Sequence, residues 1–235
     1  MAKFVNPFED SIHPPFAGFP ADAVKFLKQL TKNNNRDWFE ANKPRYDGAI
    51  REPMVSLLET LDGLLRHRVP DLVIDPKKSM YRIYRDVRFS KDKTPYKTWA
   101  AASFSFSGHD RKTAPGFYFH FTSTEVGVGG GLYAPDSAQL KNLRKAIDQD
   151  ATVLRKILAG KTFKKHFGEL AGESLIRPPQ GFAPDHPAAD LLRLKQFLCW
   201  KEHDLALIHE SAFADFLADH FAAMGPFVRY LADHC

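Results

Sequence analysis

The chain has 235 residues, 44% of them hydrophobic and 26% charged, which is the composition of an ordinary globular protein. No stretch approaches about 18 uninterrupted apolar residues, so the sequence excludes a membrane-spanning helix, and two cysteines exclude a disulfide framework. The formal net charge of +5 and the pI of about 9.1 permit an acidic or nucleic-acid partner without requiring one.

Two features favour a cytoplasmic location. The first residues, MAKFVNPFED, have Asp and Pro where a signal peptide needs an apolar run, so we expect no secretion. Cys199 and Cys235 are the two cysteines, and so few thiols suit a reducing compartment. We therefore expect a cytoplasmic protein without a membrane partner, and the sequence leaves its oligomeric state open.

The first eighty residues are predicted to be mostly helical. Proline and glycine interrupt residues 1–19, which we expect to form an irregular arm in front of a single α+β domain at residues 20–235. Val24, Leu27 and Leu30 repeat at helical spacing and predict the first helix of that domain.

Three signals divide the rest of this helical region. Asn35 is a candidate N-cap for a second helix, and Asn42 before Lys43-Pro44 resembles a further helix start. Pro53 is expected to split the region, because an interior proline loses a backbone hydrogen bond. A strong amphipathic helix with leucines at positions 57, 58, 61, 64 and 65 then follows.

The hydrophobic period next changes from about 3.6 to 2. Apolar and polar residues alternate in four runs, at residues 81–89, 103–107, 117–122 and 126–129. The gaps between the runs are too short for parallel crossovers. We therefore predict a central antiparallel sheet of about four or more strands with one apolar face.

From Pro135 the helical pattern returns and makes the last third of the chain helical. Asp136 or Ser137 is expected to cap a helical stretch that ends at Gly160. Residues 172–187 are rich in proline and glycine and are predicted to form a long ordered loop. The remainder is expected to form two or three helices with an interruption at Gly225-Pro226.

The positive charge is concentrated in residues 81–98, YRIYRDVRFSKDKTPYKT. Six cations and two carboxylates give this block a charge of +4, while the whole chain has +5. Arg and Lys side chains beside a turn are typical of a phosphate or carboxylate site. The candidate ligand-binding residues are Arg82, Tyr84, Arg85, Arg88, Lys91, Lys93, Lys97 and Tyr118.

Two other interpretations of this block stay open. Its cations are either solvated charges that protect an edge strand or partners of carboxylates in the same chain. Arg85 falls in phase with the apolar Ile83 and Val87, unless a bulge at Arg85-Asp86 shifts the phase. A cation that faces the core has to be paired or has to bind something.

An enzymatic interpretation rests on the polar face of the predicted sheet. If the strands are neighbours, that face carries Arg82, Tyr84, Arg88, Ser103, Ser105, Tyr118 and His120. Such a surface suits an anionic substrate, with Asp86 or His120 as candidate catalytic residues that move a proton. The competing interpretation is a hydrogen-bonded and inert His120.

Other motifs indicate structure rather than chemistry. Gly127 and Gly129-Gly130-Gly131 match neither a dinucleotide fingerprint nor a P-loop, and a tight turn or an edge kink is the simpler prediction. The histidines are scattered, so we expect no metal site, and the sequence indicates no cofactor. Cys199 lies in an apolar run that is predicted to be helical and buried.

Several motifs together resemble an uncharacterised family, the domain of unknown function 2461. They are Asn34-Asn35-Arg36 with Trp38-Phe39, Asn42-Lys43 with Tyr46, the block from Arg82 to Lys97, Phe117-Tyr118-Phe119-His120, Gly129-Gly130-Gly131, and Leu140 with Arg144. The resemblance runs from about residue 19 to residue 225 and implies one intact domain. Gln180 stands where the family pattern leads us to expect lysine. The family has no established function, so the resemblance implies no reaction.

Three functions follow from these observations as hypotheses. The charge distribution favours a protein that binds an anionic small molecule or a nucleic acid through the basic block. The alternatives are a small enzyme that acts on an anionic substrate and a protein-interaction scaffold. The sequence leaves open whether the protein is an enzyme.

Overall fold

A computed structural model describes residues 14–235 of the chain. Most of the predicted N-terminal arm therefore lies outside the described residues. Its last part, residues 14–19, has no regular secondary structure. Phe16 and Phe19 are buried there, with their ring centroids 5.3 Å apart, so this end of the arm packs into the core.

Three helices follow, α1 (Ala21–Lys32), α2 (Arg36–Tyr46) and α3 (Glu52–Leu65), with a π-helical turn at Asp47–Arg51. The predicted cap is confirmed, because the Asn35 side chain accepts a hydrogen bond from the Trp38 N–H at 3.0 Å. Asn42 starts no helix; it lies inside α2. Pro53 does not split the region either, because it occupies the first turn of α3, where a missing N–H is tolerated.

Five strands form one antiparallel sheet in the order β1-β2-β3-β4-β5. They are β1 (Leu72–Val73), β2 (Ala100–Phe106), β3 (Gly116–Phe121), β4 (Glu125–Leu132) and β5 (Phe197–Asp204). A short helix, α4 (Pro76–Ser79), lies between the first two strands. The predicted α+β class and the three central strands are thereby confirmed.

The C-terminal third is largely helical. It contains α5 (Ser137–Gln149), α6 (Thr152–Ala159), α7 (Lys161–Phe167), α8 (Ala189–Leu192) and α9 (Phe213–His234). Of the two predicted caps, Asp136 and Ser137, it is Asp136 that caps α5, in a capping box. The expected interruption at Gly225-Pro226 is wrong, because α9 runs through it with Pro226 exposed and the neighbouring Phe227 buried.

Residues 81–89 do not form the predicted strand. An isolated bridge between Tyr84 and Tyr96 joins the two arms of residues 81–98, which we call the basic hairpin. A further bridge, Met80 with Ala102, lies just outside the hairpin. Asp86 and Asp92 accept hydrogen bonds from backbone N–H groups two residues further on. Such local bonds compete with a strand ladder, so the tip of the basic hairpin stays a loop.

Strand β5 was predicted as part of a helix. A short apolar run does not distinguish a strand from a buried helix by its period alone. Phe197 and Cys199 are fully buried, whereas Leu198 and Trp200 between them are half-buried, which is the alternation of a strand. Cys199 is a core residue as predicted, although it lies on a strand.

The glycines of β4 lie in a central strand and not in a turn or at an edge. A Cβ atom on Gly130 would stand 2.5 Å from the Met224 sulfur and 2.7 Å from the Gly116 carbonyl oxygen. Gly131 has a φ of +121° and would meet the Phe197 carbonyl oxygen at 2.0 Å. Close packing of β4 therefore requires these glycines, and no phosphate loop is formed.

The described residues fall into two compact units. The first takes in the chain up to Phe104 with Tyr118–Val128 and Glu202–Asp219, and it holds α1–α3 and the basic hairpin. The second comprises Ser105–Phe117, Gly129–Lys201 and His220–Cys235. The single domain at residues 20–235 stays a prediction. Among residues 14–235, no helix combines the length and the apolar character that crossing a membrane requires.

Candidate anion-binding cleft

A cleft of about 620 Å³ opens in the first unit beside the basic hairpin. We call it the cleft. Its lining residues are Thr31, Asn34, Arg85, Asp86, Asp92, Thr94, Tyr96, Lys97, Thr98 and Trp99. Thr31 belongs to the end of α1 and Asn34 to the turn before α2. The hairpin and the residue that follows it supply the rest of the lining.

Tyr96 anchors the hairpin to the helices. Its side chain is 2% exposed, and its ring stacks on Phe39 of α2 with the centroids 4.1 Å apart. The Asn34 side chain binds both backbone groups of Tyr96: its amide donates to the carbonyl oxygen at 2.9 Å, and its oxygen accepts from the N–H at 3.0 Å. The cleft is therefore held between fixed elements.

Arg85 forms one wall of the cleft and is paired within the chain. Its guanidinium donates to the Asp92 carboxylate and to the Thr94 hydroxyl. Asp92 also accepts from the Thr94 N–H at 2.9 Å and from the Thr94 hydroxyl at 3.0 Å. The backbone and side-chain bonds from Thr94, together with Arg85, lower the pKa of Asp92 to about 2. The predicted need of Arg85 for a partner is thus met by a carboxylate of the same chain.

A second internal pair joins Arg88 to Asp86. The guanidinium donates to both carboxylate oxygens, at 3.0 and 2.7 Å. Hydrogen bonds from Arg88 lower the pKa of Asp86 to about 2. Asp86 is therefore an ionised hydrogen-bond acceptor at neutral pH, a state in which it has no proton to donate.

Four cations of the hairpin remain after these two pairs. Among residues 14–235, Arg82, Lys91, Lys93 and Lys97 have no carboxylate within ion-pair distance. Lys93 donates to the Val87 carbonyl oxygen at 3.0 Å, and a carbonyl oxygen carries no full charge. Arg82 and Lys91 are exposed. Two of the six hairpin cations are neutralised, so the local excess of +4 persists in the folded chain.

Lys97 is the one of these four that lines the cleft. Its ammonium group donates to the Arg82 carbonyl oxygen at 2.8 Å. The same group lies 5.0 Å from the centroid of the Trp99 ring and 5.2 Å from that of Tyr81. Burial, and then the charge of Arg82, lower the pKa of Lys97 below the ordinary lysine value of 10.5.

The polar sheet face is smaller than predicted and lies outside the cleft lining. The Ser103 hydroxyl contacts the Tyr81 hydroxyl at 3.3 Å, and the Tyr118 hydroxyl contacts Nδ1 of His120 at 3.2 Å. Burial lowers the pKa of His120, so its imidazole is neutral at neutral pH.

Three other residues expected on that face, Tyr84, Ser105 and Arg88, make separate contacts. Tyr84 packs against Phe39 and Tyr96, with ring centroids 6.0 and 5.4 Å away. Ser105 donates to the His109 carbonyl oxygen at 3.2 Å. Arg88 forms an ion pair with Asp86. Part of the predicted common surface therefore forms, around Ser103, Tyr118 and His120, and Tyr81 contacts both Ser103 and the Tyr118 ring.

A family model described as a conserved hypothetical protein (DUF2461) matches residues 22–230. The chain belongs to the DUF2461 family. The match includes every residue that lines the cleft, and the family description assigns no ligand and no reaction. No protein with a curated description matches the chain. In this DUF2461 chain, residues 14–235 contain no cluster of three or more His, Cys, Asp or Glu side chains that could hold a metal ion.

Proposed function

We propose that this DUF2461 protein binds a small phosphate- or carboxylate-bearing ligand in the cleft, with Lys97 as the central contact. The observation that carries the proposal is Lys97, a half-buried lysine that lines the cleft and has no carboxylate partner among the described residues. A charge removed from water without a counter-ion is costly. An anion from solution supplies that counter-ion.

The surroundings of Lys97 support the same ligand class. Thr98 also lines the cleft, and a threonine hydroxyl is an uncharged donor. Arg82, Lys91 and Lys93 keep the potential around the cleft positive, which raises the local concentration of anions. Asp86 and Asp92 repel an anion, so we expect the ligand anion to bind beside Lys97 and Thr98.

We propose no reaction. His120 is outside the cleft lining, and Asp86 is ionised and paired with Arg88. We infer a cytoplasmic site of action, which the two free cysteines support. The scaffold hypothesis stays a prediction that the binding experiment below separates from ligand binding.

Calorimetry with inorganic phosphate and with succinate at low ionic strength tests the proposal. Lys97→Met is expected to weaken binding by about 10- to 150-fold, because a hydrogen bond to a charged group contributes about 1.5–3 kcal/mol. Lys91→Met is the matched control: it removes the same charge from an exposed position outside the cleft lining. We expect it to change the affinity by less than about threefold, the scale of screened surface charge.

Two results would contradict the proposal. One is the absence of phosphate and succinate binding by the wild-type protein. The other is an equal loss of affinity in both variants, because this would show a diffuse effect of charge and not a contact in the cleft.

A further inference from the structure

The basic hairpin presents aromatic rings among its unpaired cations. Phe89, in the loop at its tip, is 95% exposed, and Tyr84 on its first arm is 46% exposed. The Arg88 guanidinium lies 5.8 Å from the centroid of the Phe89 ring. A single exposed apolar side chain is ordinary. Two exposed rings on a segment with an excess charge of +4 are less ordinary, and together they indicate a binding surface.

Both rings are linked to the lining of the cleft by contacts within the hairpin. Arg88, beside Phe89, is hydrogen-bonded to Asp86, which lines the cleft. Tyr84 packs against Tyr96, which also lines it. An exposed aromatic ring therefore lies close to the cleft at both Phe89 and Tyr84.

We propose that the basic hairpin binds single-stranded nucleic acid, with one phosphate in the cleft beside Lys97 and bases stacked on Phe89 and Tyr84. Proteins that bind single strands combine cations along the phosphate backbone with aromatic rings for the bases. A duplex hides the base faces that these rings would contact. This inference rests on the proposed function, because it takes the bound anion to be a phosphate of a longer chain.

The geometry favours this partner over an anionic membrane surface. Interfacial binding requires apolar side chains that can enter the headgroup region. Tyr84 packs against Phe39 and Tyr96, so its ring is partly exposed for stacking but is held in place and cannot insert. Phe89 alone would be a weak anchor, because one ring buries little apolar area.

Fluorescence anisotropy with a labelled oligothymidylate of about 12 nucleotides tests the inference. Phe89→Ala is expected to weaken binding by about tenfold, the loss of one stacked base. Ile176→Ala is the matched control, since Ile176 is 93% exposed and belongs to the second unit. It should bind like the wild type. Because both side chains are almost fully exposed, neither substitution disturbs packing.

Salt dependence gives a second readout. Lys91→Gln should reduce the slope of log affinity against log salt by about 0.7, the value for one phosphate contact on a single strand. The inference is overturned if the wild type does not bind the oligonucleotide, if Phe89→Ala binds like Ile176→Ala, or if a duplex binds as tightly. Preferential binding to phosphatidylserine vesicles would also overturn it.

Failure of this inference is distinguishable from failure of the proposed function. Phosphate binding that depends on Lys97, without oligonucleotide binding, removes the nucleic-acid inference alone. Phosphate binding that is insensitive to Lys97→Met removes the proposed function, and with it the placement of a phosphate in the cleft.

Discussion

Asp92 holds the loop of the basic hairpin in shape through three donors. Arg85 approaches it from one side, and Thr94 contributes its N–H and its hydroxyl. Exposed ion pairs of this kind add little to the free energy of unfolding. Their effect is on geometry, because they keep the Asp92 carboxylate and the Arg85 guanidinium together in the cleft lining. Among the described residues that line the cleft, Lys97 is the cation without a carboxylate partner.

At the residue scale, acid should release this loop between about pH 4 and pH 2. The folded pKa of Asp92 is about 2, below the ordinary value of 3.8. A carboxyl group with a lowered folded pKa stabilises the folded state above its unfolded pKa, and this contribution is lost as the pH falls through the folded pKa. The chemical shift of the Thr94 amide proton, followed by NMR, measures the midpoint.

Asp92→Asn is the control for this titration. It should remove the acid transition of the Thr94 amide and leave the transition of the Asp86–Arg88 pair in place. A midpoint near 3.8 for the Thr94 amide in the wild-type protein would show that the hydrogen bonds to Asp92 are absent in solution.

At the element scale, β4 depends on glycines that leave no room for a side chain. Gly130→Ala should lower the free energy of unfolding by about 1–3 kcal/mol, the usual cost of overpacking. Its Cβ would press on the Gly116 carbonyl oxygen, a backbone atom that cannot rotate away. Urea denaturation measures the change.

Gly48→Ala is the matched control, because a Cβ there meets nothing within 4 Å and Gly48 lies in the π-helical turn before α3. It should raise the free energy of unfolding by about 0.5–1 kcal/mol, since alanine restricts the unfolded chain more than glycine does. Equal stability of Gly130→Ala and the wild type would mean that β4 is packed less tightly than the structure shows.

Elements defined by local signals could be predicted from the sequence. The cap at Asn35, the cap at Asp136 and the alternation along β3 each depend on residues a few positions apart. Strand β5 and the hairpin depend on pairing with distant segments. In both cases the local pattern gave the wrong element, because tertiary contacts decide the conformation of short apolar runs.

The candidate cleft was predictable only through its charge. Counting cations located Arg85 and Lys97, and it could not show that Asp92 neutralises the first and leaves the second. The uncharged lining residues were missed because they come together only in the folded chain. Asn34 and Tyr96 are 62 positions apart in the chain, so no local pattern connects them. The motif Asn34-Asn35-Arg36 drew attention to Asn34 through the family resemblance, but it did not assign a role to that residue.

At the scale of the whole molecule, the charge is as uneven in the folded chain as in the sequence. The chain carries +5, and the basic hairpin keeps +4 after its two internal pairs are formed. In the function we propose, such a concentration of charge would draw anions towards the cleft. Within it, Lys97 is the group whose protonation a bound anion would change most, because it is half-buried and the other unpaired cations are exposed.

Titration of Lys97 by NMR, with and without inorganic phosphate, tests this account most directly. A bound anion favours the charged ammonium, so phosphate should raise the pKa of Lys97 from its depressed value below 10.5, and affinity should fall as the pH rises through that value. The signal of Lys91 in the same spectrum should not respond to phosphate. A Lys97 pKa that stays unchanged at high phosphate concentration would contradict the account, because it would show that no anion reaches the cleft.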